Sequence, residues 1–138
     1  MKLFKLMKDG GKESRVWGFF FVEIKSLFSV VLLRFADGSR DAYHSHAFNS
    51  VSWVLKGALD ERQIPEKNTV FVPSLKPVIT TRKNMHQVRS FGTTYVFSFR
   101  GPWVDHWEEY LPATNEIVGL TNGRVETFRT KVPFPVTA

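Results

Sequence analysis

The chain has 138 residues and a formal net charge of +6, and it contains no cysteine. This length fits one domain that can bury a core without cross-links, so we assign residues 1–138 to a single domain. The lack of cysteine excludes disulfides, thiolate metal ligands, thiol nucleophiles and iron–sulfur ligation, and it favours a cytoplasmic setting. The amino terminus lacks an uninterrupted apolar segment of the signal-peptide type, and we expect no membrane association.

The positive charge is spread along the chain rather than clustered, which makes nucleic acid an unlikely partner. One local group lies at the amino terminus, where we expect a solvated tail: Lys2, Lys5, Lys8 and Lys12. A second group surrounds His86: Arg82, Lys83 and Arg89. Because cations beside a binding site favour anions, we predict that this second group contacts a small anionic ligand or substrate.

Short apolar and β-branched runs, separated by turn residues, recur along the chain. The predicted strands are 16–24, 28–35, 42–46, 51–59, 70–72, 78–81, 87–88, 93–100, 117–120 and 125–128. Turns are predicted at Asp37-Gly38, over 64–68, and at Asn122-Gly123, where the dipeptide favours a type I′ hairpin. Segment 103–111 is predicted as a short helix or helical turn. So many short strands predict an all-β barrel or sandwich.

Aromatic and aliphatic stripes supply the candidate core. Trp53 and Leu55 share one face of a predicted strand, as do Phe97 and Phe99, and we expect both pairs to be buried. The run 17–22 contains three consecutive phenylalanines, which cannot all point to one face of a strand. Some of them must meet another layer or another chain, and we expect a homodimer.

Three of the four histidines are candidate metal ligands. His44 and His46 are two residues apart on a predicted strand, so their side chains point to the same face, and His86 follows forty residues later. We predict that these three imidazoles form a metal site. The alternative is that they are partly exposed strand residues without a metal. We expect His106 to be a surface residue, and Tyr43 to pack on the face opposite His44.

The histidines stand in a pattern that resembles the cupin superfamily. The spacing of the first cupin motif, which contains a glycine, two histidines, a glutamate and a glycine, is matched by Gly38, His44, His46, Ser50 and Gly57. His86 stands where the second motif contributes a further histidine. The resemblance covers about residues 30–110, and it extends more narrowly to small, mostly uncharacterised single-domain cupins of bacteria and bacteriophages.

This resemblance implies a fold and an assembly. Cupins are double-stranded β-helices, that is, jelly-roll barrels, so we expect this all-β fold with a core of about residues 28–111. An amino-terminal strand extension would precede the core, and a short helical turn would lie in the carboxyl-terminal part. Cupins commonly pair through their sheets, which again favours a homodimer.

The sequence departs from the cupin pattern at several positions. Ser50 replaces the glutamate, and as a neutral alcohol it is a poor metal ligand, so we place it among the ligand-binding residues, where it would hydrogen-bond a metal-bound water. The second motif is degenerate: its proline, glycine and asparagine positions hold Thr81, Lys83 and Ser90. Three carboxylates are candidates to replace the glutamate. Of these, we expect Asp41 on the wrong strand face, and we expect Asp60 and Glu61 near a turn.

Three neutral imidazoles can hold a divalent transition metal such as Fe, Mn, Ni or Zn and leave positions open for other ligands. The cysteine-dioxygenase group of cupins is similar in using three histidines without the glutamate. The leading hypothesis is therefore a three-histidine non-haem iron dioxygenase that acts on a small anionic substrate. The alternative is a non-catalytic cupin, for example a phage-type protein that sequesters a nucleotide-like ligand or inhibits a host factor. A sugar-phosphate isomerase or epimerase ranks third, because the sequence assigns no acid–base residues and no catalytic residue beyond the metal site.

Overall fold

The computed structural model of the protein describes residues 1–11, 14–38, 42–64 and 67–132. The strands in these ranges are β1 Lys2–Lys8, β2 Val16–Ile24, β3 Phe28–Phe35, β4 Tyr43–His44, β5 Ser50–Lys56, β6 Leu59–Ile64, β7 Lys67–Phe71, β8 Val78–Thr80, β9 Met85–Ser90, β10 Thr94–Arg100, β11 Trp107–Leu111, β12 Glu116–Thr121 and β13 Val125–Lys131. A 3₁₀ turn spans Asn122–Arg124. Among the described residues, no helix is long and apolar enough to cross a membrane.

The strands form two antiparallel sheets that pack face to face as a jelly-roll barrel. The six-stranded sheet, called sheet A, has the order β1-β2-β3-β10-β5-β8, and the seven-stranded sheet, called sheet B, has the order β13-β12-β11-β4-β9-β6-β7. The apolar core between them takes five buried side chains from sheet A, Phe20, Val31, Leu33, Val54 and Val96, and one from sheet B, Leu59. The predicted all-β jelly roll is confirmed.

The inner face of sheet A changes from apolar to polar along its strands. One cross-strand row of buried side chains is apolar: Leu33, Val96 and Val54. Farther along the same strands, a row at the other end is polar: Ser29, Arg100, Ser50 and Thr80. Inward-facing residues alternate with outward-facing ones along each strand, so the sequence of these strands places the polar row inside the barrel. The cavity between the sheets is therefore lined by apolar side chains towards one end and by polar side chains towards the other.

Several sequence-based element boundaries were wrong. Within segment 103–111, predicted as helical, Trp107–Leu111 forms β11, because pairing with both β12 and β4 satisfies its backbone hydrogen bonds. The predicted strand 51–59 divides at Gly57, which has φ 93°. A side chain there would bring Cβ within 2.6 Å of the Thr93 carbonyl oxygen, so the chain turns at this glycine.

Predictions at the two ends of the chain had different outcomes. Lys2, Lys5 and Lys8 belong to β1, an edge strand paired with β2, rather than to a solvated tail, whereas Lys12 lies outside the described residues. The hairpin predicted at Asn122-Gly123 does join β12 to β13, and the two residues with the positive φ typical of a type I′ turn are Gly123 at 76° and Arg124 at 58°.

Both residue pairs that were predicted to be buried lie on the outer face of sheet A. Leu55 is 54% exposed and Phe99 is 46% exposed, and Trp53 and Phe97 are half-buried on the same outer face. The inward positions of β10 hold Val96, Ser98 and other small or polar residues instead. The alternating pattern showed correctly which residues share a face, but the larger aromatic set points away from the core.

Candidate metal centre

Sheet B brings the candidate ligands together. His44 in β4 pairs directly with His86 in β9, so the two side chains are cross-strand neighbours on the inner face of the sheet. His46 lies just beyond the end of β4. The intervening Ser45 keeps the backbone attached to the sheet, because its N–H donates to the Glu108 carbonyl oxygen at 2.9 Å. This backbone attachment places the His46 ring beside the rings of His44 and His86.

The three imidazole rings form a compact group. The ring centroids of His44 lie 4.8 Å from those of both His46 and His86, and the His46 and His86 centroids are 5.0 Å apart. One ring nitrogen from each residue lies within 4.8 Å of the other two, and the Nε2 atoms of His46 and His86 are 2.9 Å apart. The predicted convergence of the three histidines is confirmed.

Glu61 is the functional residue that the sequence analysis placed incorrectly. It lies in the middle of β6, is buried, and accepts a hydrogen bond from Nδ1 of His86 at 2.7 Å. This bond places the proton on Nδ1 and leaves the lone pair of Nε2 directed at the other histidines. Burial alone would raise the pKa of Glu61, but the hydrogen bonds from His86 and Gln63 lower it. Glu61 therefore orients a candidate metal ligand, His86, instead of replacing the glutamate missing from the motif.

His46 is held in the neutral form that binds metals. Burial lowers its pKa well below the ordinary value, and the nearby His44, His86 and Arg100 lower it further. A neutral imidazole offers a nitrogen lone pair to a metal, whereas an imidazolium does not. The environment of His46 thus favours metal binding over protonation.

The arrangement fits a divalent transition metal. Bonds of about 2.0–2.1 Å to one ion require imidazole nitrogens no more than about 4.2 Å apart. The Nε2 atoms of His46 and His86 meet this limit at 2.9 Å, and a ring nitrogen of His44 lies within 4.8 Å of them. Metal-bound histidines usually donate their second N–H to a carboxylate or carbonyl, and His86 does so to Glu61. The three-histidine group could therefore hold a metal ion, and its donor chemistry does not select among Fe, Mn, Ni and Zn.

The histidines line a cavity of 520 Å³ between the two sheets. Four carboxylates in its wall are each paired with a basic group: Glu23 with Lys2 at 3.0 Å, Glu61 with His86 at 2.7 Å, Asp9 with Arg100 at 2.7 Å, and Glu109 with Arg124 at 2.6 Å. Six lysines and arginines line the cavity beside these four carboxylates, so a bound divalent cation would add to a positive lining and favour an anionic ligand.

The predicted anion-binding cations lie away from this cavity. Arg82 and Lys83 are exposed between β8 and β9, and Arg89 is exposed on β9, where it lines a separate depression of 400 Å³ with Asp60 and other residues. The structure does not bring these three cations to the histidines. Ser50, in contrast, lines the cavity in the polar row beside Arg100.

The other candidate residues that the structure describes lie outside the three-histidine group. His106 is exposed and stacks on Phe128 outside the metal group, as predicted. Tyr43 is buried, and its ring lies 6.1 Å from that of Tyr110, on the face opposite His44. Asp41 lies outside the described residues. Within the described chain, the group that could hold a metal consists of His44, His46 and His86.

Comparison of the sequence with known protein families and with curated proteins finds no match. Solved structures do match. A cupin-superfamily sugar phosphate isomerase from Silicibacter pomeroyi is similar with a TM-score of 0.62 at 16% identity, covering 100% of this chain and 98% of that one. The chain has the cupin fold.

Two further solved structures are similar in fold. An RmlC-like cupin from Shewanella frigidimarina has a TM-score of 0.56 at 14% identity, covering 72% of this chain and 84% of that one. Ectoine synthase from P. lautus has a TM-score of 0.56 at 10% identity, with coverages of 66% and 67%. These likenesses establish the fold, and the cupin motif around His44 and His46 lies in the barrel as the resemblance implied. Since cupins host unrelated activities, function has to be argued from the site.

Proposed function

We propose that this cupin is a metal-dependent enzyme in which His44, His46 and His86 hold a divalent transition metal inside the barrel. The observation that carries the proposal is the convergence of three imidazole nitrogens in the cavity, one of them oriented by the buried carboxylate of Glu61. A cross-strand pair of histidines by itself is compatible with a packing role. A buried carboxylate that fixes the tautomer of one histidine is the arrangement expected of a metal ligand.

The finer proposal is a three-histidine non-haem iron dioxygenase acting on a small anionic substrate. The cavity supports it in two respects: Ser50 leaves no carboxylate at the glutamate position of the motif, and the lysines and arginines of the lining outnumber its carboxylates. Iron(II) in this site would supply redox chemistry with O₂. The protein would contribute three neutral ligands, a cavity that limits access of water, and a hydrogen bond from Ser50 to an oxygen near the site.

Metal analysis tests the first proposal. We expect wild-type protein loaded with Fe(II), Mn(II), Ni(II) or Zn(II) and then desalted to retain about one ion per chain by mass spectrometry. His44→Ala and His86→Ala should retain almost none. His106→Ala is the matched control, because it makes the same change at an exposed histidine outside the group, and it should behave like wild type. Equal, substoichiometric metal in all four proteins would remove the site.

Oxygen consumption tests the dioxygenase proposal. Fe(II)-loaded protein would be screened at an oxygen electrode with small anionic thiols and carboxylates. We expect consumption that depends on one substrate class and is lost in His86→Ala. If the protein binds iron stoichiometrically but consumes no oxygen with any member of the screen, the dioxygenase proposal fails while metal binding stands.

Binding without catalysis is the second candidate. One observation favours it: every carboxylate identified above in the cavity wall is already engaged by a basic group, so the structure assigns no free general base. A thermal-shift screen of nucleotides, sugars and organic acids in chelator discriminates between the two. Stabilisation without metal supports a binding protein that sequesters its ligand, whereas stabilisation only with metal supports the enzyme.

We also propose that two copies pair through the outer face of sheet A. Aromatic rings form a continuous series across this face: Phe19, Phe21, Phe97, Phe99 and Trp53. The neighbouring outward positions are mostly apolar as well, including Leu55 and Ile79. Because each copy carries a net charge of +6, a charge-poor face is where two copies can meet with little repulsion. A monomer by light scattering at high concentration would refute this pairing.

A further inference from the structure

The second polar centre of the cavity is an arginine enclosed by the barrel. Arg100 ends β10 on the inner face of sheet A, and its side chain is only 4% exposed. Its guanidinium carbon lies 4.7 Å from the ring centroid of Phe48 and 5.6 Å from that of Phe20. These two rings restrict the guanidinium and leave its N–H edge to face a partner. A buried arginine charge needs such a partner, because leaving it unpaired is costly.

The partner of Arg100 is Asp9, which is much less enclosed. The two guanidinium nitrogens Nη1 and Nη2 donate to Asp9 Oδ1 and Oδ2 at 3.3 and 2.7 Å, the two-pronged geometry typical of arginine and a carboxylate. The Asp9 side chain is 29% exposed and follows the edge strand β1. Its backbone N–H bonds to the Val16 carbonyl oxygen at 2.9 Å. Rotation of the side chain towards solvent would therefore release Arg100 without moving the backbone.

Arg100 and the metal centre belong to one cavity. Phe48 connects them, because its ring lies 5.2 Å from the His46 ring as well as against Arg100. Arg100 also contributes to the lowered pKa of His46, as expected for a nearby cation. A ligand that reached the histidines would therefore have a buried, two-pronged anion receptor on the wall beside it.

One buried donor in the cavity wall lacks a partner among the described residues. It is the indole N–H of Trp103, whose ring lies 5.3 Å from that of Phe48, the ring that also packs on Arg100. Buried polar groups normally have hydrogen-bond partners, so this unpaired donor points to an acceptor supplied from elsewhere.

We propose that Arg100 is the anchor for a carboxylate of the ligand, and that the Asp9 side chain occupies this position until the ligand displaces it. The inference deepens the proposed function and rests on it for the second point of attachment, the metal. Displacement leaves no buried charge unpaired: the ligand carboxylate takes over Arg100, and Asp9 turns into water. The ligand class is a small organic acid with one carboxylate on Arg100 and a second polar group towards the histidines.

Calorimetric titration with succinate tests this proposal. We expect Asp9→Asn, which removes the competing charge while keeping the shape, to bind succinate at least tenfold more tightly than wild type. Arg100→Gln should lose the binding. Asp60→Asn is the matched control, because Asp60 is also paired with an arginine, Arg62 at 3.6 Å, but outside the cavity. It should bind like wild type.

The competing interpretation is that Asp9 is only a structural partner of Arg100. In that case Asp9→Asn would be less stable and would bind succinate no more tightly than wild type, which would overturn the proposal. An equal gain in Asp60→Asn would also overturn it, because the effect would then reflect net charge alone. Should Arg100→Gln fail to fold, the comparison of wild type with Asp9→Asn still decides.

Repeating the titrations after chelation separates this inference from the proposed function. Without metal, we expect the affinity for succinate to fall in both proteins. Asp9→Asn should still bind succinate more tightly than wild type, because this difference depends on Arg100. A protein that retains no metal yet shows this difference would refute the metal centre and support the anchor. If the protein binds one metal ion but Asp9→Asn binds succinate no more tightly than wild type, the metal centre is supported and the Arg100 anchor is refuted.

Discussion

Each of the two polar centres of the cavity contains a carboxylate bonded to a basic side chain, but the two carboxylates differ in how firmly the fold holds them. In sheet B, Glu61 is buried in the middle of a strand and bonds to His86, which is itself buried. At the edge of sheet A, Asp9 follows a strand and bonds to Arg100, and only the arginine is enclosed. A carboxylate buried with its partner acts as a permanent positioning group. A carboxylate that reaches in from a partly exposed position can be exchanged for one from a ligand.

Removing a metal ligand should have the largest effect on this pair of centres. We expect His86→Ala to lower metal affinity by more than 100-fold, because it deletes one of three nitrogens and leaves Glu61 without its partner. Competition with a chromophoric chelator measures the change. Retention of wild-type affinity would mean that His86 is not a ligand.

Neutralising the fixed carboxylate should have the next largest effect. Glu61→Gln keeps the shape of the side chain but weakens the acceptor for the Nδ1 proton of His86, and we expect metal affinity to fall by about 10- to 100-fold. The same chelator competition applies, with Asp60→Asn as the neighbouring control on the outer side of β6. An unchanged affinity would show that the Glu61–His86 bond is a packing feature without influence on the metal.

Replacing the arginine by lysine should have a smaller effect, confined to the second centre. A lysine keeps the positive charge but cannot donate in the two-pronged geometry. We therefore expect Arg100→Lys in the Asp9→Asn background to weaken succinate binding by about tenfold while retaining some binding. Affinity equal to that of the arginine protein would indicate that charge alone, rather than geometry, anchors the carboxylate.

The smallest expected effect is the influence of Asp9 on the metal. Because Asp9 bonds to Arg100 rather than to a histidine, Asp9→Asn should lower metal affinity by no more than about threefold, through the unneutralised charge of Arg100 near His46. A change as large as that of Glu61→Gln would contradict the division between a fixed and an exchangeable carboxylate, and would show that the two centres act as one.

The sequence allowed the all-β fold and the convergence of His44 and His46 to be predicted because both leave local signals, whereas His86 was assigned through the resemblance to the second cupin motif. β2 and β3 follow their predicted bounds, 16–24 and 28–35, since apolar runs bounded by turns are local features. The convergence of His44 and His46 follows from strand periodicity. The direction of Phe97 and Phe99 does not, because alternation shows which residues share a face but not which face is inside.

The two carboxylates were harder to predict because their partners are distant in the chain. Glu61 is 25 residues from His86, and Asp9 is 91 residues from Arg100. One signal was present: Leu59, Glu61 and Gln63 alternate with more exposed residues along β6, which places a carboxylate on the inner face. Recognising that Gly57 ends the preceding strand would have revealed this pattern.

The most direct test of the three-histidine centre is the anomalous diffraction of crystals loaded with Fe(II) or Zn(II). We expect one strong peak in the cavity, about 2.0–2.2 Å from one ring nitrogen of each of His44, His46 and His86. Glu61 should remain on Nδ1 of His86, so that this histidine contributes Nε2. A cavity without a peak after loading, or a peak bound only by other residues, would contradict the account.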